Sequence, residues 1–447
     1  MADYSFPGDV EIGEITIVSH GGEVFNITEM YLECNIYQSI FKHYLECEIA
    51  IHDALNINHE IKGNVDSAIA SGFRGGEVLI VQYRERTDPS QDAKVPFKRH
   101  MFGIYEMSDR SKFNENSETY ILSAISFEAF QTIPQKISKT YGARGGGKVS
   151  NMITSIIAEY ILPETMLDNL ASSNILKNVV VDETSGIDTF TIPNMSVDKT
   201  IDYLSREADS PDYYPLYTFY EDSNGYNFRN ISKLVAEPEV MDTYFYYPSN
   251  YEDATNNEEL EASDEKKIIS YDMIKDNNIL ENTKNGLFKS RTIGVDILRK
   301  KTTERKFEYI KEKDKFSTLN GSRFNVEVVG DPVLNVKYTT FGHDNDSFFN
   351  NDNTVMPKKD FGIGNRKQSY FHQIFNNVMQ VSIPGDSSKN VGEIIYLIFF
   401  LNNDIEANKY QIDKTLSGRY LITKVRQKIT DDFFTTIMEC SKDTNLI

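Results

Sequence analysis

The sequence predicts an α+β fold that is predominantly β: two small antiparallel β-barrels, with a helix-containing α+β domain inserted between them. Three observations predict it. Residues 1–142 and 370–447 alternate apolar and polar side chains with the period of 2 that marks half-buried strands. Between them the apolar period changes to that of a helix. The chain also carries 26 Tyr and 27 Phe but no Trp, and such aromatics suit a pleated, half-buried surface.

The clearest strand is HYLECEIAIHD at 43–53. Leu45, Cys47, Ile49 and Ile51 fall on one face, with Tyr44, Glu46, Glu48 and His52 on the other. Further strands are expected at 15–19, 30–37, 77–84, 102–108 and 119–126, with the glycines of SGFRGGE turning the chain before the one at 77. Over 148–162, Val149, Met152, Ile153, Ile156, Ile157 and Tyr160 recur at helical spacing, and Pro163 ends the run. A second helix follows at 196–208, with Ser196 as N-cap and Val197, Ile201, Leu204 and Ala208 on one face. The segment 216–230 reads as a hairpin turning at Asn224-Gly225.

Residues 251–267, YEDATNNEELEASDEKK, offer almost nothing to bury and read as an exposed acidic loop. A β-rich return follows, with a second Asn-Gly turn at Asn285-Gly286 and a strand over 291–301. Residues 335–365 are rich in Asn, Asp and Gly, which predicts a second long loop. The last strands are expected at 377–383, 394–401, 419–427 and 433–440. The layout is then a first barrel over 1–142 and an α+β insert over 143–265 that ends in the acidic loop. A return segment over 266–334, a polar loop over 335–369 and a second barrel over 370–447 complete it.

Little in the sequence points to chemistry. The net charge of −20 argues against direct nucleic-acid binding, which needs Lys and Arg to displace counterions from phosphates. Cys34, Cys47 and Cys440 are too few for a disulfide framework. Cys34 lies in phase with Leu32 and Ile36, and Cys47 with Leu45, so all three read as small apolar residues. GARGGGKVS at 142–150 imitates a phosphate loop but has Val149 where Ser or Thr should follow the lysine; a hinge is the better reading.

The histidines His20, His43, His52, His59, His100, His343 and His372 show no H-x-x-x-H spacing, and there is no C-x-x-C. No G-x-S-x-G elbow is present. The expectation is therefore no catalytic, cofactor-binding or metal residue within one chain, and no enzyme. The N-terminus MADYSFPGDVEIG lacks a basic n-region and an apolar h-region, and the longest apolar run, IIYLIFFL, is only strand length. No membrane association is expected, and the protein is expected to be made and kept in the cytoplasm.

Three stretches carry a resemblance. They are the hairpin FYEDSNGYNFRNISKL at 219–234, the segment ILENTKNGLFKSRTIGVD at 279–296, and the tail VMQVSIPGD…VGEIIYLIFF…LSGRYLITKVRQKI…FFTTIMEC. In the tail, Gly385, Gly392 and Gly418 mark turns. Together, in this order, they resemble the baseplate hub proteins of contractile-tailed phages of the T-even type, related to the N-terminal half of the type VI secretion valine-glycine repeat spike. The resemblance implies two tube-like barrels per chain and a homotrimer whose six barrels imitate sixfold symmetry.

Such a ring joins the sixfold tail tube to a threefold central spike. It lines a channel for tape-measure protein and for DNA as transiting cargo, and sits in the virion tail baseplate beside the wedge proteins. No spike domain follows the second barrel, so a separate spike partner is expected. Two other readings stand beside this one: a wedge or receptor-binding protein of the tail, and a tail-associated cell-wall hydrolase.

Overall fold

The computed structural model describes residues 7–55, 57–60, 72–86, 96–114, 117–142, 146–211, 214–247, 266–296, 301–326, 333–339, 363–401, 411–431 and 433–445. The acidic loop over 251–267 lies outside them except for its last two residues, and so does most of the polar loop. The fold is α+β and predominantly β.

The first barrel is built from β1 (Val10–Val18), β2 (Val24–Asn26), β3 (Tyr31–Ser39), β4 (Glu46–Asp53), β5 (Val78–Glu85), β6 (Lys98–Asn114) and β7 (Ser117–Ser126). The expected alternation holds at Leu45, just before β4, and along β4 at Cys47, Ile49 and Ile51, all buried. In β3 it fails at one point. Leu32 is exposed while Tyr31 is buried, because a register shift between Tyr31 and Glu33 moves the strand out of phase with its neighbour. All three cysteines are free and buried.

The insert contains β8 (Lys136–Tyr141), β9 (Asn178–Val181), β10 (Phe190–Ser196), β11 (Tyr217–Asp222) and β12 (Gly225–Asn230). The first predicted helix runs Val149–Ile156 and continues as a π-helical turn, Ile157–Ile161. Pro163 ends it and also opens a helix the sequence reading missed, Glu164–Ser172. The second predicted helix is Val197–Glu207, with Val197, Ile201 and Leu204 fully buried and Ala208 at its C-cap. Ser196 occupies the N-cap position, but its side chain makes no capping bond. The hairpin is present with a shifted turn: Asp222 pairs with Gly225, so Ser223-Asn224 is the two-residue loop.

Further strands are β13 (Val240–Tyr246), β14 (Ser270–Lys275), β15 (Lys289–Asp296), β16 (Lys301–Glu308) and β17 (Val333–Thr339). The last four are β18 (Asn377–Pro384), β19 (Ile394–Phe399), β20 (Gly418–Thr430) and β21 (Phe434–Lys442). The expected turn at Asn285-Gly286 is present. It ends the helix Ile279–Lys284, with Gly286 at φ +77°, Gly286 N donating to Thr283 O at 3.1 Å and Leu287 N to Asn282 O at 3.0 Å. The range expected as a polar loop over 335–369 begins inside β17 and ends inside the helix Ile363–Ile374, and residues 340–362 lie outside the described residues. β15, β16 and β17 form a small separate sheet.

One sheet of 13 strands joins both ends of the chain, in the order β14-β18-β21-β20-β3-β4-β7-β6-β5-β1-β2, with β13 added through β19. The second barrel therefore uses strands from outside 370–447. Its ring β13-β19-β20-β21-β18-β14 meets itself where Ile268 N donates to Phe245 O at 2.8 Å. The first barrel borrows from the second. β20 pairs with β3 from Lys424↔Ser39 to Thr430↔Glu33, and Phe434 N donates to Gly8 O just before β1, at 2.8 Å. Ile429 and Phe434 accordingly sit in the core of the first barrel, while Leu421, Ile422, Val425 and Met438 sit in the core of the second.

Candidate functional site: the joint between the barrels and the insert

β11 carries Glu221 into the seam between the insert and the first barrel. One of its carboxylate oxygens accepts from Leu45 N at 2.9 Å and from Ser126 Oγ at 2.6 Å. The other accepts from Lys177 Nζ, which also lies 3.6 Å from Glu128 Oε1. The side chains of Glu128 and Glu221 are 0% exposed and that of Lys177 is 6% exposed. Burial alone would push Lys177 down, but the carboxylates of Glu128 and Glu221 more than reverse it and hold the ammonium well above its usual range. Burial raises the Glu128 carboxyl, against the pull of Lys177. Lys177 is thus shared between two buried carboxyl groups.

A second contact lies beside it. His43, in the β3–β4 turn, sits between Asp198 at 3.5 Å and Asp202 at 3.0 Å, both on the helix Val197–Glu207. Burial opposes its charge, yet the bonds to Asp198 and Asp202 raise it to about 9. Tyr44 OH donates to Asp198 at 2.9 Å.

The hairpin turn ties three parts together. Gln38 Nε2 of β3 donates to Ser223 Oγ at 3.0 Å, Ser223 Oγ donates to Asn390 Oδ1 at 2.5 Å, and Val391 N donates to Gln38 Oε1 at 3.3 Å. On the far side, Lys367 Nζ donates to the carbonyls of Arg206 and Ala208 at 2.7 and 2.9 Å, satisfying the C-terminus of the insert helix. The arrangement locks the insert against both barrels.

The residues weighed from the sequence are scattered. His43 is in the joint. His100 is buried between the rings of Tyr83 and Phe102, where burial first, then Lys177 and Lys98, lowers it to about 3. His20 bonds Gly75 O at 3.0 Å. His52 lies in β4, and His372 on the helix Ile363–Ile374. The side chain of His59, and all of His343, lie outside the described residues. Lys148 of the glycine-rich stretch pairs with Glu183, and residues 143–145 are not described. Among the described residues no three His, Cys, Asp or Glu side chains come together as a metal site, and no helix is long and apolar enough to cross a membrane. The Lys177 cluster was invisible in the sequence, since its three members lie on distant segments with no motif spacing.

No family model matches the chain. Over 184 residues it is 23% identical to a protein described as the probable baseplate hub protein gp334 of Vibrio phage KVP40. That match covers 39% of this chain and 41% of the relative, so the likeness spans less than half of the phage protein. The fold is that of a prophage MuSo2 43 kDa tail protein from Shewanella oneidensis, at TM-score 0.52 and 10% identity, over 96% of this chain and 98% of that one. A tail protein from Neisseria meningitidis MC58 superposes at TM-score 0.51 and 8% identity, over 97% of each. The resemblance read from the three sequence stretches thus recurs as similarity to a phage baseplate hub protein and as the fold of phage tail proteins.

Proposed function

We propose that this chain is a non-enzymatic baseplate hub of a contractile tail, placed in the virion baseplate after assembly in the host cytoplasm. Three copies form a ring of six barrels. The ring joins a sixfold tail tube to a threefold central spike, and its lumen passes tape-measure protein and DNA.

The observation that carries this reading is the shared sheet. β20 and β21 belong to both barrels, so the two modules are fixed as a rigid pair within one chain. Among the described residues, β2 ends the sheet with no strand on its outer side, and β14, although the chain just before it meets β13 at Ile268–Phe245, has no strand along its own outer side. Exposed Ile269 and Ile274 lie at the β14 end, and exposed Val24 lies in β2. Open apolar edges at both ends suit joining end to end with further copies, and a closed ring removes the edge liability.

The test is the mass of the assembled species, by native mass spectrometry or sedimentation, alone and with its spike. A trimer is expected. A monomer at every concentration, with and without spike, sinks the ring.

A further inference from the structure

β9 is the edge of the three-stranded sheet β11-β12-β9. Its partner β12 runs parallel to it, in the register Gly225↔Asn178 to Phe228↔Val181. Asn178 N donates to Asn224 O, and Asp182 N to Phe228 O. By the alternation of a parallel ladder, the backbone groups of Val179 and Val181 therefore point away from β12. No backbone bond to either from the outer side is present among the described residues.

The usual protection of an edge is a lysine or proline. β9 has the sequence NVVV. The lysine just before it, Lys177, is turned inward to Glu221 and is spent on the joint. What remains outside is apolar: Leu176 is 85% exposed, Val179 41% and Val180 42%.

One face of this sheet opens into a cavity of about 300 Å³, walled on the other side by the 390–393 loop of the second barrel. Val180, Tyr220, Asp222, Asn227, Asn390 and Glu393 line it. Val180 and Asn227 stand opposite each other in the ladder, so the cavity starts at the open edge. Neither of its two carboxylates forms a salt bridge among the described residues, although Lys389, which pairs with Asp242 and Asp386, is near enough to Glu393 to pull its carboxyl down in part. Asp222 is held by amides only: Asn224 N at 2.7 Å, Gly225 N at 2.9 Å and Asn227 Nδ2 at 2.8 Å. Glu393 has one buried oxygen without a hydrogen-bond partner. Burial raises both carboxyls, and a cation entering the cavity would relieve that cost. Arg229, at the far end, is already engaged by Asp182.

We propose that β9 accepts an extended segment of another protein as an added strand, and that a lysine or arginine of that segment enters the cavity beside Asp222 and Glu393. Main-chain bonds to Val179 and Val181 would give affinity, and the acidic cavity would select the side chain. β9 belongs to a different sheet from β14 and β2, so the inference does not depend on the ring.

The probe is a labelled, end-blocked hexapeptide of alternating valine and lysine, with a valine–glutamate peptide as control. Binding to the full chain is read by fluorescence anisotropy at low salt. The lysine peptide should bind at least about tenfold more tightly than the glutamate peptide. Val179→Pro removes an outward N–H while leaving the β12 ladder intact, and should cost about tenfold or more. Glu393→Gln should narrow the preference for lysine. Should Val179→Pro lower the melting temperature, Val180→Lys decides: its exposed side chain places a like charge in the cavity, and it should abolish binding. Failure of the lysine peptide to bind, equal binding of both peptides, or indifference to a folded edge variant overturns the proposal. So does self-association of the chain that Val179→Pro abolishes, since the occupant would then be a second copy.

Discussion

Lys177 is buried between two carboxylates, and the fold depends on its charge. Replacing it with Met keeps the bulk but leaves the carboxylates of Glu128 and Glu221 buried around no cation. Removing one partner of a buried pair costs about 3–5 kcal/mol, because the surviving charge is stranded. Lys177→Met should therefore lower the urea midpoint sharply, and adding Glu128→Gln should recover part of the loss. An unchanged midpoint would show that the cluster does not hold the joint. His43 offers a gentler test. Its folded value of about 9 lies above the ordinary 6.5, so its bonds to Asp198 and Asp202 stabilise fully below 6.5 and are lost as pH rises through 9. Asp202 is more than half exposed, so solvent reduces the effect to about 1 kcal/mol. The stability gap between the native chain and His43→Gln should shrink from pH 6.5 to pH 10; a gap that widens over that range contradicts the assignment. Neither role was legible in the sequence. His43 was visible only as a histidine without metal spacing, and Lys177 as one lysine among many.

Elements were far more legible, because strand alternation is local. Every strand expected in the first 142 residues and the last 78 appears, since period 2 survives wherever one face meets a core. The strand expected over 291–301 is not one strand, since β15 ends at Asp296 and its antiparallel partner β16 begins at Lys301; the other surprises fall where one signal has two structural uses. Asn-Gly fits a hairpin, but at Asn285-Gly286 it closes a helix. Pro163 ends one helix and begins the next. At Asn224-Gly225 the hairpin was right, and the reason for the glycine was incomplete. Gly225 has φ +143°, and a Cβ there would stand 2.1 Å from Asn178 O, so β9 leaves it no room. Gly225→Ala must push β9 away or twist the turn. A cost of about 2 kcal/mol or more is expected, read as a lower melting temperature and faster amide exchange at Val179–Val181 than elsewhere in the insert. Equal exchange throughout the insert would mean that the close approach is unimportant.

At the scale of the whole molecule, the two barrels were legible as two, and their fusion was not. Alternation tells which face of β20 is buried but cannot say that its first half faces one core and its last residues another. Ile429→Ala tests the fusion. It removes a fully buried side chain of the C-terminal strand from the N-terminal core, at a cost of about 2–4 kcal/mol. Because β20 and β21 serve both barrels, denaturation should remain one transition with a lower midpoint; separate transitions for the two barrels would show that they are independent. Charge sets the behaviour of the proposed ring. Each copy carries −20, so three copies repel one another across any apolar edge contact. Salt screens that repulsion over about 10 Å at 0.1 M and about 3 Å at 1 M, while apolar burial is not weakened by it. Self-association should therefore tighten as salt is raised from about 0.05 to 0.5 M, as measured by sedimentation. Dissociation with rising salt would instead mean that ion pairs hold the copies together, and that the open strand edges at β14 and β2 are not where they meet.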